Sequence, residues 1–221
     1  ALSSRVVGIG DKAGYVDKDI IARLAFPDGT LAQPDHPLFP VVSTLHSDVM
    51  AFYTTTTLSD LRWTFLALFN LAEGNRDYQV DLDLPLIDAN VVVYDYFSGQ
   101  LISERRLEGE LGSMQVRYLV IAPMVGKLSL LGFLDKYVTV SGRQVKSVIA
   151  GADWVELTLE LPIGRCYTFA VAGERQPSAE GQGITVEAIS REHGQGLINI
   201  RFQVESSPCS LLIRATGESD E

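Results

Sequence analysis

Residues Val155-Glu-Leu-Thr-Leu-Glu-Leu161 decide the fold class, because apolar and polar side chains alternate across them without a break. Positions 155, 157, 159 and 161 are apolar and positions 156, 158 and 160 are polar, so one strand face is predicted to be buried and the other solvated. Similar short runs, rich in Val, Tyr, Phe and Thr and closed by Gly or Pro, fill the segment from Val91 to Ala172. This pattern indicates an antiparallel all-β domain, and we predict a Greek-key β-sandwich.

The same strand pattern extends over most of the chain. Within the central segment, the run L-L-G-F-L-D-K-Y-V-T-V-S-G from Leu130 is also predicted to be of β type. Residues 61–71 are so apolar that periodicity alone fits either a buried strand or a helix. We predict a strand, because Ser59-Asp60 forms a turn that would fold it back on the threonine-rich strand before it. The remaining predicted strands cover residues 48–57, 78–84, 183–188, 197–204 and 211–214.

The first forty residues differ from the rest and are predicted to form a strand–helix–proline connector. Arg5 to Gly10 has the character of a short strand that enters a Gly-rich loop, and Asp17 is a suitable N-cap for a helix over residues 19–25. Pro27-Asp-Gly29 then forms a turn, and the prolines at positions 34, 37 and 40 keep the chain extended. The predicted organisation is a connector at 1–40, a sandwich at 41–215 and an acidic tail at 216–221.

Composition and charge restrict the partners. The chain has 221 residues, 46% of them apolar, and a formal net charge of −10, which opposes binding to nucleic acid or to an anionic membrane. A neutral saccharide is not disfavoured. The sequence contains no apolar run long enough for a transmembrane helix and no recognisable signal peptide, and we expect a soluble, cytoplasmic protein. Cys166 and Cys209 lack metal-ligand spacing and are expected to be two buried free thiols, although adjacent strands could pair them.

Several motifs resemble chemical sites but have simpler explanations. Gly8-x-Gly10-x-x-Ala13 resembles a dinucleotide fingerprint, yet all-β sequence follows it, so a tight backbone turn is the better interpretation. The three histidines lack partners at ligand spacing, and no nucleophile motif is present. We therefore predict no catalytic residue, no metal and no cofactor. The acidic pairs Asp81/Asp83 and Asp17/Asp19 are expected to solvate a strand face and to cap a helix, respectively.

Aromatic side chains offer a possible sugar-binding platform. Trp63 and Trp154 are the strongest candidates, since a flat indole can stack on a sugar ring. The other aromatic residues that could contribute are Tyr94, Tyr96, Phe97 and Tyr137. Tyr94 and Tyr96 share one strand face, opposite Asp95, so at most one of these two sets is expected to face solvent. In β-sandwiches such aromatic residues more commonly pack in the core, because each buries a large apolar area. The sequence leaves both possibilities open.

Three stretches resemble the C-terminal β-domain of α-galactosidase-like glycoside hydrolases, the clan of melibiases and raffinose-synthase-like proteins. They are Tyr94-Asp-Tyr-Phe-Ser-Gly-Gln100, then Met114 to Met124 with its Ala-Pro ending, and then Leu130-Leu-Gly-Phe133. The earlier segments Val7 to Gly14 and Pro27 to Pro37 are similar to the passage that leaves the catalytic barrel in some of these proteins. The resemblance covers most of residues 5–172 and depends mainly on Gly, Pro and aromatic landmarks.

This resemblance implies a specific role. In such relatives a (β/α)8 barrel precedes the β-domain and supplies two catalytic aspartates, whereas at most the last strand and helix of a barrel fit before residue 40 here. No catalytic residue is therefore carried over to this chain. Asp11 matches a position that could lie near the active-site rim, so it joins Trp63 and Trp154 as a sugar-contact candidate, although an aspartate that stabilises the turn explains it equally.

Three function hypotheses follow. The first is a non-catalytic C-terminal domain that packs on a catalytic barrel, in cis or on another subunit. The second is a free-standing carbohydrate-binding module, which requires an exposed aromatic platform. The third is an interaction subunit with no sugar role. An apolar patch that could face a barrel would support the first hypothesis, and solvent-exposed coplanar tryptophans would support the second.

Overall fold

The computed structural model describes residues 2, 15, 17–82, 87, 90–192 and 196–215. The described elements comprise one α-helix, one 3-10 turn and sixteen strands. In chain order they are α1 (Lys18–Leu24), β1 (Phe39–Pro40), the 3-10 turn (Val42–Thr44), β2 (Val49–Leu58), β3 (Leu61–Asn70), β4 (Arg76–Asp81), β5 (Val91–Asp95), β6 (Gln100–Ile102), β7 (Arg106–Leu111), β8 (Val116–Val125), β9 (Leu128–Gly132), β10 (Val145–Ala150), β11 (Trp154–Leu159), β12 (Cys166–Gly173), β13 (Ser178–Glu180), β14 (Ile184–Arg191), β15 (Leu197–Val204) and β16 (Cys209–Arg214).

The strands form three antiparallel sheets among the described residues. The largest sheet has the order β1-β2-β3-β8-β9-β12-β15-β14, and β5 and β6 branch from β8. A four-stranded sheet has the order β10-β11-β16-β13, and β4 pairs with β7. In the described part of the chain no sheet closes into a barrel, and the predicted antiparallel all-β sandwich is confirmed.

The central strands β3 and β8 are buried on both faces, which explains the ambiguous apolar run in the sequence. Leu66 and Leu68 point into a smaller core shared with β4 and β7, whereas Trp63 and Phe65 point into the larger core shared with the second half of the chain. The predicted strand over residues 61–71 is thus correct. Its hairpin turns through Ser59 and Asp60, both with positive φ of 48° and 69°, as a two-residue turn between twisted strands requires.

The other predicted strands are observed with small shifts in their ends. In β11, the side chains of Val155, Leu157 and Leu159 are buried, as is Leu161 just after the strand, so the predicted alternation is confirmed. The predicted strand over residues 197–204 is confirmed as β15, in which the side chains at 198, 200, 202 and 204 are buried. Strands β1, β6, β7, β10 and β13 were not predicted. β7 reads R-L-E-G-E-L, and its charged residues and glycine mask a strand that pairs with β4 along its full length.

One predicted strand is wrong beyond its first residues. The run from Leu130 continues as a strand only to Gly132, where φ is +94° and the chain turns back on itself. The amide of Phe133 donates to the carbonyl of Thr139 at 2.8 Å, and the amide of Lys136 donates to the carbonyl of Phe133 at 2.9 Å. Local hydrogen bonds of this loop therefore replace the expected strand ladder over residues 133–140.

The helix of the connector is confirmed, and its following turn packs on the sandwich. Phe26 and Ala32 join the larger core, and the amide of Gly29, with φ of +83°, donates to the carbonyl of Phe26 in the predicted Pro-Asp-Gly turn. The predicted strand over residues 5–10 and its Gly-rich loop lie outside the described residues. The domain boundary near residue 40 stays a prediction.

The two cysteines differ from expectation in one respect. Both thiols are free and Cys209 is buried, but Cys166 is exposed because it begins β12 on the outer face of the sheet. Within the described part of the chain, no helix combines the length and the apolar character that a membrane crossing requires.

Candidate functional site

The short helix α1 meets the sandwich at one end only. The Asp17 carboxylate caps its N-terminus by accepting hydrogen bonds from the amides of Asp19 at 2.9 Å and Ile20 at 3.3 Å. The helix ends before Ala25, whose extended backbone leads into the turn at Pro27. None of its seven residues is buried. A helix of this length is not stable in water by itself, so its contacts at the C-terminal end hold it in place.

Those contacts come from the loop after β9. The Lys136 ammonium donates to the carbonyl of Ala22 at 2.8 Å, and the amide of Tyr137 donates to the carbonyl of Arg23 at 3.0 Å. The lysine is only 6% exposed, lies 5.1 Å from the Phe26 ring centroid, and forms an ion pair with Asp135 at 2.7 Å. A cation at this position satisfies unpaired helix carbonyls and complements the negative end of the helix dipole.

A set of aromatic rings surrounds the last turn of α1. The Arg23 guanidinium donates to the Tyr96 hydroxyl at 3.0 Å and lies 5.6 Å and 5.9 Å from the ring centroids of Tyr96 and Tyr137. Both distances are within the range of cation–π attraction. The Tyr118 hydroxyl donates to the carbonyl of Tyr137 at 2.5 Å, which ties β8 to the same loop. We call Arg23, Tyr96, Phe97, Tyr118, Lys136 and Tyr137 together the α1 junction.

Asp95 positions the turn that supplies Tyr96 and Phe97 to this junction. One carboxylate oxygen of Asp95 accepts from the amides of Phe97 at 3.3 Å and Ser98 at 3.2 Å, as an aspartate that begins a turn commonly does. The other oxygen accepts from Nε of Arg117 at 2.8 Å, and the same guanidinium donates to the Tyr78 hydroxyl. Both sets on this strand are buried, since Tyr94, Asp95 and Tyr96 all lie below the surface. Neither set faces solvent, which agrees with the prediction that at most one of them would, because core residues cover both faces of β5.

The electrostatics keep these phenols neutral. Burial raises the pKa of Tyr96 and raises the pKa of Tyr118 well above its ordinary value, because the phenolate would lose its hydration. The hydrogen bond to Tyr96 in turn raises the pKa of Arg23. The junction therefore holds a permanent cation over uncharged rings at physiological pH, an arrangement suited to binding and packing.

The outer side of the junction is apolar and open. The Phe97 side chain is 59% exposed, although its ring packs at 5.4 Å and 6.4 Å from the ring centroids of Tyr96 and Tyr118. Ile20, 48% exposed, lies one helical turn before Arg23 and so on the same side of α1.

The three sequence-based sugar-contact candidates lie apart from this junction. Trp63 is fully buried, and its indole N–H donates to the carbonyl of Leu130 at 2.6 Å, so it presents no face to solvent. Trp154 is half-buried at the start of β11, where a Cβ added at Gly151 would lie 2.2 Å from its indole nitrogen. The indole thus packs tightly against the Gly151 backbone. Asp11 lies outside the described residues.

The acidic residues have structural roles where they are described. Asp17 caps α1, as expected, and Asp81 is exposed at the end of β4, with its carboxylate 3.9 Å from Nε of Arg106. Asp83 lies outside the described residues. In the described ranges no group of three or more His, Cys, Asp or Glu side chains is arranged to hold a metal ion.

Sequence reasoning missed the two cations of the junction. Arg23 could have been identified from the sequence, because a basic residue in the last turn of a predicted helix commonly interacts with the terminal carbonyls. Nothing in the sequence indicated the role of Lys136, since it lies in a run that resembled a strand. Phe97 was among the aromatic candidates, but its exposure depends on the turn that Asp95 organises.

No family model matches the chain, and no curated protein matches it. Among solved structures it is similar to a provisionally assigned α-N-acetylgalactosaminidase of Bacillus halodurans, with 23% identity over 36% of this chain and 19% of that one and a TM-score of 0.30. It is also similar to a provisionally assigned α-galactosidase of Bacteroides fragilis, with 13% identity over 34% of this chain and 16% of that one and a TM-score of 0.27. For α-galactosidase I of Mortierella vinacea, the identity is 14% over 40% of this chain and 23% of that one, with a TM-score of 0.31. The chain covers less than a quarter of the length of each of these proteins.

Proposed function

We propose that this chain is a non-catalytic C-terminal β-sandwich domain of an α-galactosidase-like glycoside hydrolase. In this role it packs on a catalytic (β/α)8 barrel, in cis or on another subunit, and stabilises that barrel. The contact surface is the α1 junction together with Ile20 of α1, and Phe97 and Ile20 are its exposed apolar residues. The sandwich contributes stability and placement, and the barrel contributes the two aspartates that cleave the glycosidic bond.

The observation that carries this proposal is the exposure of α1. The helix is anchored through Arg23, Lys136 and Tyr137, yet no residue of the helix itself is buried. The helix carries an exposed apolar residue, and a largely exposed phenylalanine lies on the ring cluster that holds the helix. Exposed apolar side chains of this kind are commonly buried against a partner. The junction therefore has the features expected of a surface at which the preceding part of a longer protein would pack.

The residues that resemble the glycosidase family build this same region. The Tyr94 to Gln100 stretch supplies the turn with Tyr96 and Phe97, and the Pro27-Asp-Gly29 turn follows α1 directly. The stretch around Leu130 to Phe133 leads into the loop that caps the helix. The shared landmarks thus coincide with the attachment of α1.

The first test is made on the native protein. Peptide mapping in the source cells should detect sequence upstream of Ala1 that encodes a barrel with two catalytic aspartates. The native protein should then hydrolyse 4-nitrophenyl α-D-galactopyranoside, and the 221-residue chain alone should not. A native polypeptide of about this length, or hydrolysis by the chain alone, would overturn the proposal.

The contact surface is tested by Ile20→Ser and Phe97→Ser, with Ile163→Ser as the matched control at an exposed isoleucine far along the chain. In the chain alone, Ile20→Ser and Ile163→Ser should leave stability within about 0.5 kcal/mol of wild type, because they change exposed side chains. Phe97→Ser should cost up to about 1.5 kcal/mol there, because the ring also packs on Tyr96 and Tyr118. In the native protein, the first two should each lower the melting temperature by about 2–4 °C, since an apolar contact is lost. If Ile20→Ser and Phe97→Ser destabilise the native protein no more than they destabilise the chain alone, an interface at α1 is excluded.

The exposed Phe97 ring favours a second candidate, a free-standing carbohydrate-binding module for a neutral saccharide. An exposed aromatic ring can stack on a sugar, and the negative net charge does not oppose a neutral ligand. Isothermal titration of the 221-residue chain with melibiose and raffinose separates the two. Millimolar or tighter binding that Phe97→Ser abolishes would favour the module, whereas no binding together with loss of barrel stability favours the accessory domain. An interaction subunit with no sugar role remains if neither result is obtained.

A further inference from the structure

A cleft with an apolar floor lies where β5, β6, β8, β9 and β12 come together, and its described lining residues are distant in sequence from α1. Its volume is about 560 Å³, within the size range of small-molecule sites in proteins. The floor combines strands from both halves of the large sheet with the residue that follows β16. Its apolar members are Val92, Leu101, Met124, Leu128, Ala172 and Ala215.

The edge of the cleft is predominantly cationic. Lys127 in the β8–β9 turn, Arg175 after β12 and Arg191 at the end of β14 line it, with Glu174 as the opposing charge. Among the described residues that line the cleft, three cations and one anion contrast with a chain whose net charge is −10. A local positive potential in an acidic protein selects for anionic groups, because it offsets the general repulsion of the molecule.

Backbone contacts fix the position of the Arg191 side chain. Its guanidinium donates to the carbonyl of Gly173 at 3.3 Å, and the amide of Gly173 donates to the carbonyl of Gly196 at 2.9 Å. A Cβ added at Gly173 would approach Leu128 to 2.9 Å, so glycine allows the end of β12 to lie close to β9. The Arg191 cation and the apolar floor thus both depend on the end of β12, which contacts β9 on one side and accepts the Arg191 hydrogen bond from β14.

We propose that this cleft binds a small amphipathic organic anion. A hydrocarbon body of about ten carbon atoms covers the floor, and a carboxylate faces Lys127 and Arg191. The aliphatic side chains offer no hydrogen-bonding partners for sugar hydroxyls, which would remain unpaired against them, so a saccharide does not fit the floor. The site is therefore separate from the saccharide chemistry of the proposed function, and either can fail without the other.

The test uses three probes with the same chain length and different charge, each below its critical micelle concentration. Decanoate, decan-1-ol and decyltrimethylammonium are titrated into the 221-residue chain and followed by methyl NMR and calorimetry. Decanoate should shift the methyl signals of Val92, Leu101 and Leu128 and bind more tightly than decan-1-ol by about tenfold, as two exposed ion pairs allow. The cationic probe should bind most weakly, and 0.5 M NaCl should reduce the difference between decanoate and decan-1-ol.

The variant is the double charge reversal Lys127→Glu/Arg191→Glu, and its control is Lys18→Glu/Arg165→Glu, at two exposed cations outside the cleft with the same change of net charge. The first pair should weaken decanoate by about tenfold and remove its advantage over decan-1-ol, whereas the control should change its affinity less than twofold. Unchanged methyl dispersion verifies folding. The proposal is overturned if decanoate leaves these methyl signals unshifted, if the alcohol binds as tightly, or if both pairs of substitutions weaken binding equally.

Discussion

At the scale of single residues, position on a strand face decides the effect of a substitution. Leu159 is fully buried between the large sheet and the four-stranded sheet, whereas its neighbour Thr158 points to the opposite face, where its hydroxyl accepts from Ser147 at 2.9 Å. The two residues are adjacent in the chain and in different environments. The reason is the two-residue period of a strand, which the sequence displays directly.

This difference leads to a residue-scale prediction. Leu159→Asp should cost more than about 4 kcal/mol and abolish cooperative unfolding, because it buries a carboxylate without a partner. Thr158→Asp should cost no more than about 1.5 kcal/mol, the net value of the hydrogen bond to Ser147. Urea unfolding followed by tryptophan fluorescence measures both. Similar destabilisation by the two substitutions would contradict the assignment of faces in β11.

At the scale of elements, α1 depends on a lysine that is remote in sequence. Its N-cap is local, but the carbonyls at its other end are satisfied by the loop after β9, through the Lys136 side chain and the Tyr137 amide. Asp95 has the corresponding role for the turn between β5 and β6. The Lys136 contact and the Asp95 turn thus both support the aromatic cluster through which α1 packs on the sandwich.

Replacement of Lys136 by methionine should therefore loosen the helix without unfolding the sandwich. The substitution keeps an unbranched side chain against Phe26 and removes the cation from the helix C-terminus, a loss of about 1 kcal/mol. Hydrogen exchange of the Ile21 and Ala25 amides should accelerate about fivefold, while amides of β15 keep their protection. Lys146→Met, at a lysine that pairs with Glu160 on the surface, serves as the control. Unchanged exchange in α1 would show that Lys136 does not hold the helix.

At the scale of the whole molecule, buried phenols make stability sensitive to alkaline pH. Burial raises the pKa of Tyr96 and Tyr118 and raises the pKa of Tyr167 to about 12, above the ordinary value near 10 in the unfolded chain. The protonated phenol is the form that the fold favours. The contribution of these protonated phenols to the free energy of unfolding is therefore complete below about pH 10. It is lost as the pH rises through their pKa values in the folded protein.

We accordingly expect the urea midpoint to fall between about pH 10 and 12. Tyr118→Phe should lower stability at pH 8 by about 1 kcal/mol, because the hydrogen bond to the Tyr137 carbonyl is lost, and should make the alkaline decline less steep. Tyr15→Phe, at a largely exposed side chain, should retain the wild-type pH profile. If the urea midpoint of Tyr118→Phe falls as steeply with pH as that of the wild type, burial of the Tyr118 phenol does not contribute to the alkaline loss of stability.

The sequence by itself determined the all-β class, most strands and the cap and turn that bound α1. These features follow from side-chain period, proline and glycine geometry and aspartate capping, which act over a few neighbouring residues. The sequence did not reveal that residues 133–140 form a loop after Gly132. Apolar residues such as Val and Tyr are found both in strands and in buried loops, so their presence does not distinguish the two.

Only the tertiary structure decided the α1 junction and the cationic cleft. Arg23 meets Tyr96 across 73 positions of sequence, and Lys136 meets the Ala22 carbonyl across 114. Such encounters depend on the order of strands in the sheets and on which face each turn presents. The alternation of apolar and polar residues specifies that one face of a strand is buried, but it does not specify which segment packs against that face. These sites therefore depend on packing between segments that are distant in the sequence.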